Sequence, residues 1–245
     1  MSESTDDKFL NGRVMVRQPV RGFRSGLDAV MLAAAVPAAS GDEVLELGSG
    51  AGAASLCLAA RVADSSVTGI EIDPALMEIA NANACTNNVG VRVRFVVGDA
   101  LVPPEALRRG FAHVFSNPPF HDVEGETSPD AGRELALRDD GHLADWFAAG
   151  LKRVASGGTF TTIVRADRLA DALTALPERG VAILPLWPRA GEPAKRVVLQ
   201  ATKGSRAPLA LLPGLVLHKA DGRYTREADA ILREGCSLAL AKPRL

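Results

Sequence analysis

Residues 43–52, Glu-Val-Leu-Glu-Leu-Gly-Ser-Gly-Ala-Gly, place a short apolar run directly before three glycines. The next residues, 53–62 (AASLCLAARV), have the composition of a helix. A buried strand that enters a glycine turn and continues into a helix is typical of the first unit of an open α/β sheet. In such sheets ligands bind beyond the carboxyl ends of the strands, so this turn is the first candidate for a binding site.

Strand-like and helix-like segments alternate through the rest of the chain. Further strands are predicted at 66–73, 91–99, 111–117 and 158–166, with helices at 74–88, 142–156 and 167–180 and two last strands at 181–188 and 195–204. Such alternation favours a parallel sheet with helices on both faces. We therefore predict an α/β fold with a doubly wound, seven-stranded, mostly parallel sheet and one reversed strand at its edge.

The residues before the first sheet strand form a separate segment. Residues 9–19 (FLNGRVMVRQP) combine Asn-Gly with alternating apolar residues, which predicts a hairpin, and a helix follows from about residue 27 to 36. We expect residues 1–40 to cover the cofactor site and residues 41–245 to form the main domain, with a single domain overall.

The composition limits the classes of protein to which the chain can belong. A net charge of -1 excludes a generally basic surface, so a nucleic-acid partner would be bound by local patches. The three cysteines lie far apart without a metal-binding spacing, and we expect no metal site. No apolar run approaches the ~18 residues of a membrane helix, so a cytoplasmic protein that does not contact membranes is expected. The oligomeric state stays open.

Three carboxylates stand at the predicted ends of three successive strands. Glu46 precedes the glycines Gly48, Gly50 and Gly52, where it could pair with an ammonium group. Glu71 ends the second strand and could accept hydrogen bonds from both hydroxyls of a ribose, and Asp99 ends the third, near an adenine amino group. A structural turn and a dinucleotide site are the alternatives. Because no phosphate-binding lysine is present, the set favours a cationic adenosine, S-adenosylmethionine.

The fourth strand runs into the segment 115–120, Phe-Ser-Asn-Pro-Pro-Phe. Proline fixes its own φ and keeps the preceding residue extended, so Asn117 is presented rigidly by Pro118. In this type of sheet the fourth strand lies beside the first, which puts Asn117 next to the cofactor.

These motifs, in this order and spacing, resemble class I methyltransferases that modify a planar nitrogen. The resemblance implies a Rossmann-like methyltransferase fold in which the Asn117 side chain and the Pro118 carbonyl accept hydrogen bonds from the target amine. It also implies that Phe120, which stands where tyrosine is commoner, stacks on the flat substrate. Asp99 and Ala100 would bind the cofactor.

Over most of its length the chain is similar to bacterial valine-tRNA adenine-N6 methyltransferases. Residues 23–36 (FRSGLDAVMLAAAV), 195–204 and 222–235 carry this resemblance. It implies methyl transfer to N6 of an adenine beside the anticodon, with tRNA as partner, and implicates Gly26 and Asp28 at the cofactor. Expected substrate contacts are Arg133, Arg138, Lys195 and Arg196.

Other acceptors fit the same motif. A protein glutamine amide is also a planar nitrogen, although only about 40 residues precede the first strand, too few for the large helical domain of those enzymes. Amino groups of ribosomal RNA or DNA are further possibilities. A module that binds the cofactor without catalysis is disfavoured by the intact Asn-Pro-Pro-Phe segment.

Overall fold

A nine-stranded sheet runs through the part of the chain that the computed structural model describes, residues 3–119 and 143–240. The strands are β1 (Ser4–Phe9), β2 (Val14–Pro19), β3 (Glu43–Leu47), β4 (Ser66–Glu71), β5 (Val93–Val97), β6 (Phe111–Ser116), β7 (Val154–Arg165), β8 (Val181–Trp187), β9 (Arg196–Thr202), β10 (Ala210–Leu211) and β11 (Leu215–Val216). The helices are α1 (Leu27–Ala35), α2 (Ala53–Arg61), α3 (Pro74–Thr86), α4 (Leu143–Arg153), α5 (Leu169–Thr174) and α6 (Arg226–Glu234).

The sheet order is β10-β8-β9-β7-β6-β3-β4-β5, and β11 also pairs with β8. Five adjacent strands of this order, β7, β6, β3, β4 and β5, pair in parallel, so their carboxyl ends meet at one edge of the sheet. Strand β3 lies between β4 and β6, which brings the turn after β3 next to the ends of both neighbours. The predicted α/β fold with a mostly parallel sheet is confirmed.

The position of the reversed strand and the number of strands differ from the prediction, which was a seven-stranded sheet with the reversed strand at its edge. Strand β9 is antiparallel to both of its neighbours and lies between β7 and β8. Its residues Val197, Val198 and Leu199 are all buried, so both of its faces are covered, which an inner position provides. The outer edge of β8 is taken by the short strands β10 and β11, which raise the count to nine.

Helices cover both faces of the sheet. Apolar side chains of α1, α2, α3 and α6 pack on one face, together with Val44 and Phe115. Side chains of α4 and α5 pack on the other, together with Leu45 and Leu47. Consecutive residues of β3 thus face opposite layers, and Glu46 lies on the face of α1 and α2.

The hairpin β1–β2 forms a two-stranded sheet of its own. It starts earlier than predicted, at the polar residues Ser4–Phe9. Strand β2 runs along α3, and its buried residues Val14 and Val16 join the core. The assignment of residues 1–40 and 41–245 to separate roles within one domain stays a prediction.

Candidate functional site

The turn between β3 and α2 is built from backbone conformations that favour glycine. Gly48, Gly50 and Gly52 have φ values of +70°, +53° and +84°. The N–H groups of Gly48 and Ser49 both donate to the carbonyl of Ile70 in β4, at 2.9 and 3.0 Å. The loop is therefore fixed to the neighbouring strand, and its glycines bring bare backbone to the carboxyl edge of the sheet.

The surroundings of the three glycines differ. A Cβ atom added at Gly52 would lie 2.5 Å from the ring of Phe95, and one at Gly48 would lie 2.8 Å from Cη2 of Trp146. At Gly50 an added Cβ would meet no atom of the described residues within 4 Å. Packed side chains thus support both ends of the loop, while its middle faces open space that a ligand can occupy.

Glu71 is tied across this loop. One carboxylate oxygen accepts from the N–H of Gly50 at 2.7 Å, and the other accepts from the N–H of Asp73 at 3.0 Å. Burial raises the pKa of the Glu71 carboxyl, while the backbone donors oppose that rise. Each carboxylate oxygen has a second lone pair, so the fixed carboxylate can still accept from a ligand hydroxyl.

Glu46 lies deeper. Its side chain is buried and accepts a short hydrogen bond from the Ser55 hydroxyl of α2. Burial raises the pKa of Glu46 to about 8, and the charge of Glu71 adds to the rise, while the bonds from Ser55 act against it. The carboxyl can therefore change protonation near neutral pH when a cation approaches.

The end of β5 adds polar and apolar groups. The N–H of Gly98 donates to the carbonyl of Glu71 at 2.9 Å, which places Asp99 beside that strand end. Asp99 is exposed, and its carboxylate accepts from the N–H of Leu101 at 2.8 Å, while Ala100 is buried. Ile72, directly after Glu71, is 51% exposed. An exposed isoleucine next to the fixed carboxylate offers an apolar surface for a flat ring, a feature that the sequence analysis missed.

Asn117 lies next to the glycine loop. The last residue of β6, Ser116, pairs with Leu47, the last residue of β3. The next residue after each strand is Gly48 after β3 and Asn117 after β6. These two residues therefore lie side by side at the carboxyl edge of the sheet. Asn117 is half-buried and Pro118 is buried. The register thus brings the Asn-Pro-Pro segment to the Gly48–Gly52 loop, as the strand order requires.

Trp146 of α4 forms a wall of the site. Its ring lies against the Cα of Gly48, on the face of the sheet opposite Glu46. No local pattern in the sequence places this tryptophan at the site. Trp146 and Gly48 are far apart in the chain, so the contact cannot be predicted from neighbouring residues. Only the packing of α4 on β3 brings them together.

The remaining predicted residues lie in different places. Gly26 precedes α1, and Asp28 in its first turn accepts from Nε of Arg196 at 2.8 Å, so two predicted site residues pair with each other. Lys195 is exposed, and its backbone N–H donates to Leu186. Three further predicted residues lie outside the described ranges: Phe120, Arg133 and Arg138.

Some basic residues near the two ends of the chain are engaged with other groups of the protein. Near the amino terminus Arg17 pairs with Asp6 at 2.9 Å, and Arg24 pairs with Asp7 at 2.5 Å. Near the other end of the chain, Lys203 donates to two backbone carbonyls of the α4–β7 junction.

Comparison with known proteins agrees with this site. The family model of the methyltransferase small domain matches residues 26–145. A predicted O-methyltransferase from Agrobacterium tumefaciens superposes with a TM-score of 0.73 at 27% identity, over 86% of this chain and 98% of that one. A geranyl diphosphate C-methyltransferase from Streptomyces coelicolor, solved with S-adenosyl-L-homocysteine, shares the fold with a TM-score of 0.51 at 16% identity, over 71% and 78%. Fold and site define an S-adenosylmethionine-dependent methyltransferase.

Curated relatives narrow the class. A tRNA1(Val) (adenine(37)-N6)-methyltransferase from Aeromonas hydrophila is 30% identical over 83% of this chain and 86% of its own length. Relatives with the same name from Porphyromonas gingivalis and Bacteroides fragilis are 32% and 28% identical, over 67% and 74% of this chain and 68% and 77% of their own lengths. The chain belongs to the family of tRNA1(Val) (adenine(37)-N6)-methyltransferases.

Two other kinds of feature are absent from the described ranges. No helix within residues 3–119 or 143–240 combines the length and the apolar character needed to cross a bilayer. Over the same residues no group of three or more His, Cys, Asp and Glu side chains could hold a metal ion.

Proposed function

We propose that the protein transfers the methyl group of S-adenosylmethionine to N6 of an adenine beside the anticodon of a tRNA. The observation that carries this proposal is the pairing of Ser116 with Leu47, which puts the start of the Asn-Pro-Pro segment beside Gly48. The relatives from Aeromonas and Porphyromonas support tRNA as the substrate, because both are named for adenine 37 of tRNA1(Val).

The glycine loop and the acidic side chains fit the cofactor. The open space at Gly50 leaves room against bare backbone, and Glu71 presents a fixed carboxylate to the ribose hydroxyls. Glu46 would face the ammonium group, and Asp99 with the exposed Ile72 would flank the adenine. When bound, S-adenosylmethionine supplies an electrophilic methyl group on a sulfonium.

The Asn-Pro-Pro segment supplies the groups that hold the acceptor. The lone pair of an exocyclic amine is delocalised into its ring, so the amine must be turned toward tetrahedral geometry before it can attack. The side-chain oxygen of Asn117 and the carbonyl of Pro118 would accept its two hydrogens. Two rigid acceptors favour that geometry without a strong base, because they need no reorganisation during the reaction.

A tRNA would approach the carboxyl edge of the sheet, where Asn117 lies. Exposed Lys195 is a candidate for a phosphate contact there, because such contacts supply most non-specific affinity for RNA. An adenine in a loop is also the least costly to flip, since it is not held in a duplex. Arg133 and Arg138 would clamp the substrate, and Phe120 would stack on the base.

The test is methyl transfer from labelled cofactor to separate pools of tRNA, ribosomal RNA, DNA and protein, followed by nucleoside and amino-acid analysis. N6-methyladenosine in tRNA alone is expected. Asn117→Ala should abolish transfer and leave cofactor affinity within about twofold, whereas Val91→Ala, at a fully exposed site, should change neither. Label in glutamine or in another nucleic acid would contradict the assignment of tRNA as the substrate. A loss of cofactor binding in Asn117→Ala would contradict the role given to Asn117.

A further inference from the structure

Two asparagines of α3, Asn81 and Asn83, and its C-cap residue Asn87 bind the backbones of strands on both sides of that helix. Asn81 accepts from the N–H of Phe95 in β5 and donates to its carbonyl, both at 2.9 Å. Asn83 makes the same pair of bonds to Arg17 of β2, both at 2.9 Å, and Asn87 makes them to Met15, at 2.9 and 2.6 Å. Each amide thus takes the place of a neighbouring strand at an edge that would otherwise be unpaired.

Asn83 and Asn87 hold the same hairpin but differ in one bond. Each side-chain amide nitrogen has a second hydrogen to donate. Asn87 gives it to the carbonyl of Asn83, within its own helix, at 2.8 Å. Asn83 gives it to the carbonyl of Ala51 in the Gly48–Gly52 loop, named the cofactor loop below, at 2.9 Å. Asn83 is 3% exposed and has its donors and acceptor in use, so its orientation is fixed.

The bond to Ala51 reaches the part of the loop that a ligand would contact. Ala51 lies between Gly50, which faces open space, and Gly52, which is the N-cap residue of α2. The ring of Phe95, whose backbone Asn81 holds, packs against Gly52. Helix α3 therefore supports the loop at two neighbouring points, and at one of them the same side chain also binds β2.

Besides the bonds from α3, the hairpin is held by the buried residues Phe9 and Leu10 and by Arg13, which donates to the carbonyls of Ala60 and Glu234. Its two strands pair with each other and with no strand of the large sheet in the described chain, and a two-stranded hairpin is marginally stable alone. Within β2 itself, docking rests on the buried valines and on the bonds that Asn83 and Asn87 make to its backbone. Since Asn83 binds both β2 and Ala51, a shift of the hairpin would disturb the cofactor loop.

We propose that Asn83 is a positioning residue that couples docking of the amino-terminal hairpin to the cofactor loop, so that the hairpin contributes to cofactor affinity without touching the cofactor. This inference rests on the assignment of the Gly48–Gly52 loop to S-adenosylmethionine. By linkage, cofactor binding should in turn stabilise the docked hairpin.

Asn87→Ala is the matched control, because it removes the same clamp on the hairpin and spares the loop. Full-length wild type, Asn83→Ala and Asn87→Ala would be titrated with S-adenosylhomocysteine by calorimetry, well below their melting temperatures. Both variants should melt below the wild type. Asn83→Ala should raise the Kd about tenfold, whereas Asn87→Ala should stay within about twofold of the wild type. Equal values of Kd for the two variants would overturn the coupling.

Hydrogen exchange gives a readout that lost stability alone would not produce. Addition of S-adenosylhomocysteine should slow exchange of the Met15 and Arg17 amides in the wild type and in Asn87→Ala, and the slowing should disappear in Asn83→Ala. The same slowing in all three proteins would contradict the proposal.

A near-isosteric variant covers the case in which Asn83→Ala does not fold. The ionised side chain of Asn83→Asp can still accept from the N–H of Arg17 but can donate neither to Ala51 nor to the carbonyl of Arg17, and it should show the same loss of affinity. If Asn83→Asp binds S-adenosylhomocysteine as tightly as the wild type, the coupling is contradicted and the cofactor assignment is unaffected. A wild-type protein that binds no S-adenosylhomocysteine would overturn both the coupling and the cofactor assignment.

Discussion

The carboxylate of Glu71 accepts a hydrogen bond from the backbone N–H of Gly50 at 2.7 Å, so the end of β4 is joined to the loop that follows β3. The same carboxylate is bonded to Asp73, at the start of α3. One buried acidic side chain thus fixes two strand ends relative to each other, and it holds in place the loop segment that faces open space.

Replacement of Glu71 by Gln tests this arrangement. Gln keeps the size of the side chain but loses the charge, so charge-assisted bonds to Gly50 and to a ribose are weakened. We expect cofactor affinity to fall by about 1–3 kcal/mol. Calorimetric titration with S-adenosylhomocysteine measures this change in binding free energy. Glu78→Gln, on the exposed face of α3, is the control and should bind like the wild type. Unchanged affinity in Glu71→Gln would remove Glu71 from the site.

The raised pKa of Glu46 predicts a pH-dependent stability. Its pKa is about 8 in the folded protein and near the ordinary value of 4.5 in the unfolded chain. Between these values the folded state holds a proton that the unfolded state has lost, so stability falls as pH rises, by up to about 1.4 kcal/mol per pH unit.

Glu46→Gln isolates this contribution. Gln stays neutral and can still accept from Ser55, so its unfolding free energy should change less between pH 5 and 8 than that of the wild type. Urea denaturation at several pH values measures the difference. Parallel curves for the two proteins would show that Glu46 does not titrate in this range.

Two glycine substitutions should act differently. Gly48→Ala would put a methyl group into the Trp146 ring at a left-handed backbone angle, and we expect a loss of stability of about 2–4 kcal/mol. Gly50→Ala meets only the backbone strain, so its loss should be smaller, about 1 kcal/mol. Its methyl group would enter the cofactor space, and affinity should fall more than tenfold. Thermal unfolding and calorimetry separate the effects; equal melting temperatures for the two variants would contradict the contact with Trp146.

The ion pair between Asp28 and Arg196 predicts a measurable coupling. The pair is partly exposed, so a double-mutant cycle with Asp28→Asn and Arg196→Gln should give about 0.5–1 kcal/mol of coupling in stability. If Asp28 also binds the cofactor, Asp28→Asn should weaken binding, whereas Arg196→Gln should weaken only turnover of tRNA. The same effect of both variants on cofactor affinity would assign the pair a purely structural role.

Local patterns were sufficient to locate the parts of the candidate site. The apolar run before Gly48, the acidic residues at the ends of β4 and β5, and the Asn-Pro-Pro segment after β6 are each recognised from neighbouring residues, because strand ends and glycine turns are local features. Parallel strands share one edge, so the order of these motifs was enough to predict that they meet.

The contacts that shape the site depend on residues far apart in the chain. Nothing near Gly48 indicates that Trp146 lies against it, and nothing near Ala51 indicates that Asn83 holds its carbonyl. The insertion of β9 between β7 and β8 was also decided by packing, since its buried run needed covering on both faces. The sequence by itself determined which groups stand at the strand ends, because backbone conformation and hydrophobic periodicity act over a few residues. Only the tertiary structure decided their partners, burial and protonation, because these depend on side chains that the fold brings together from distant segments.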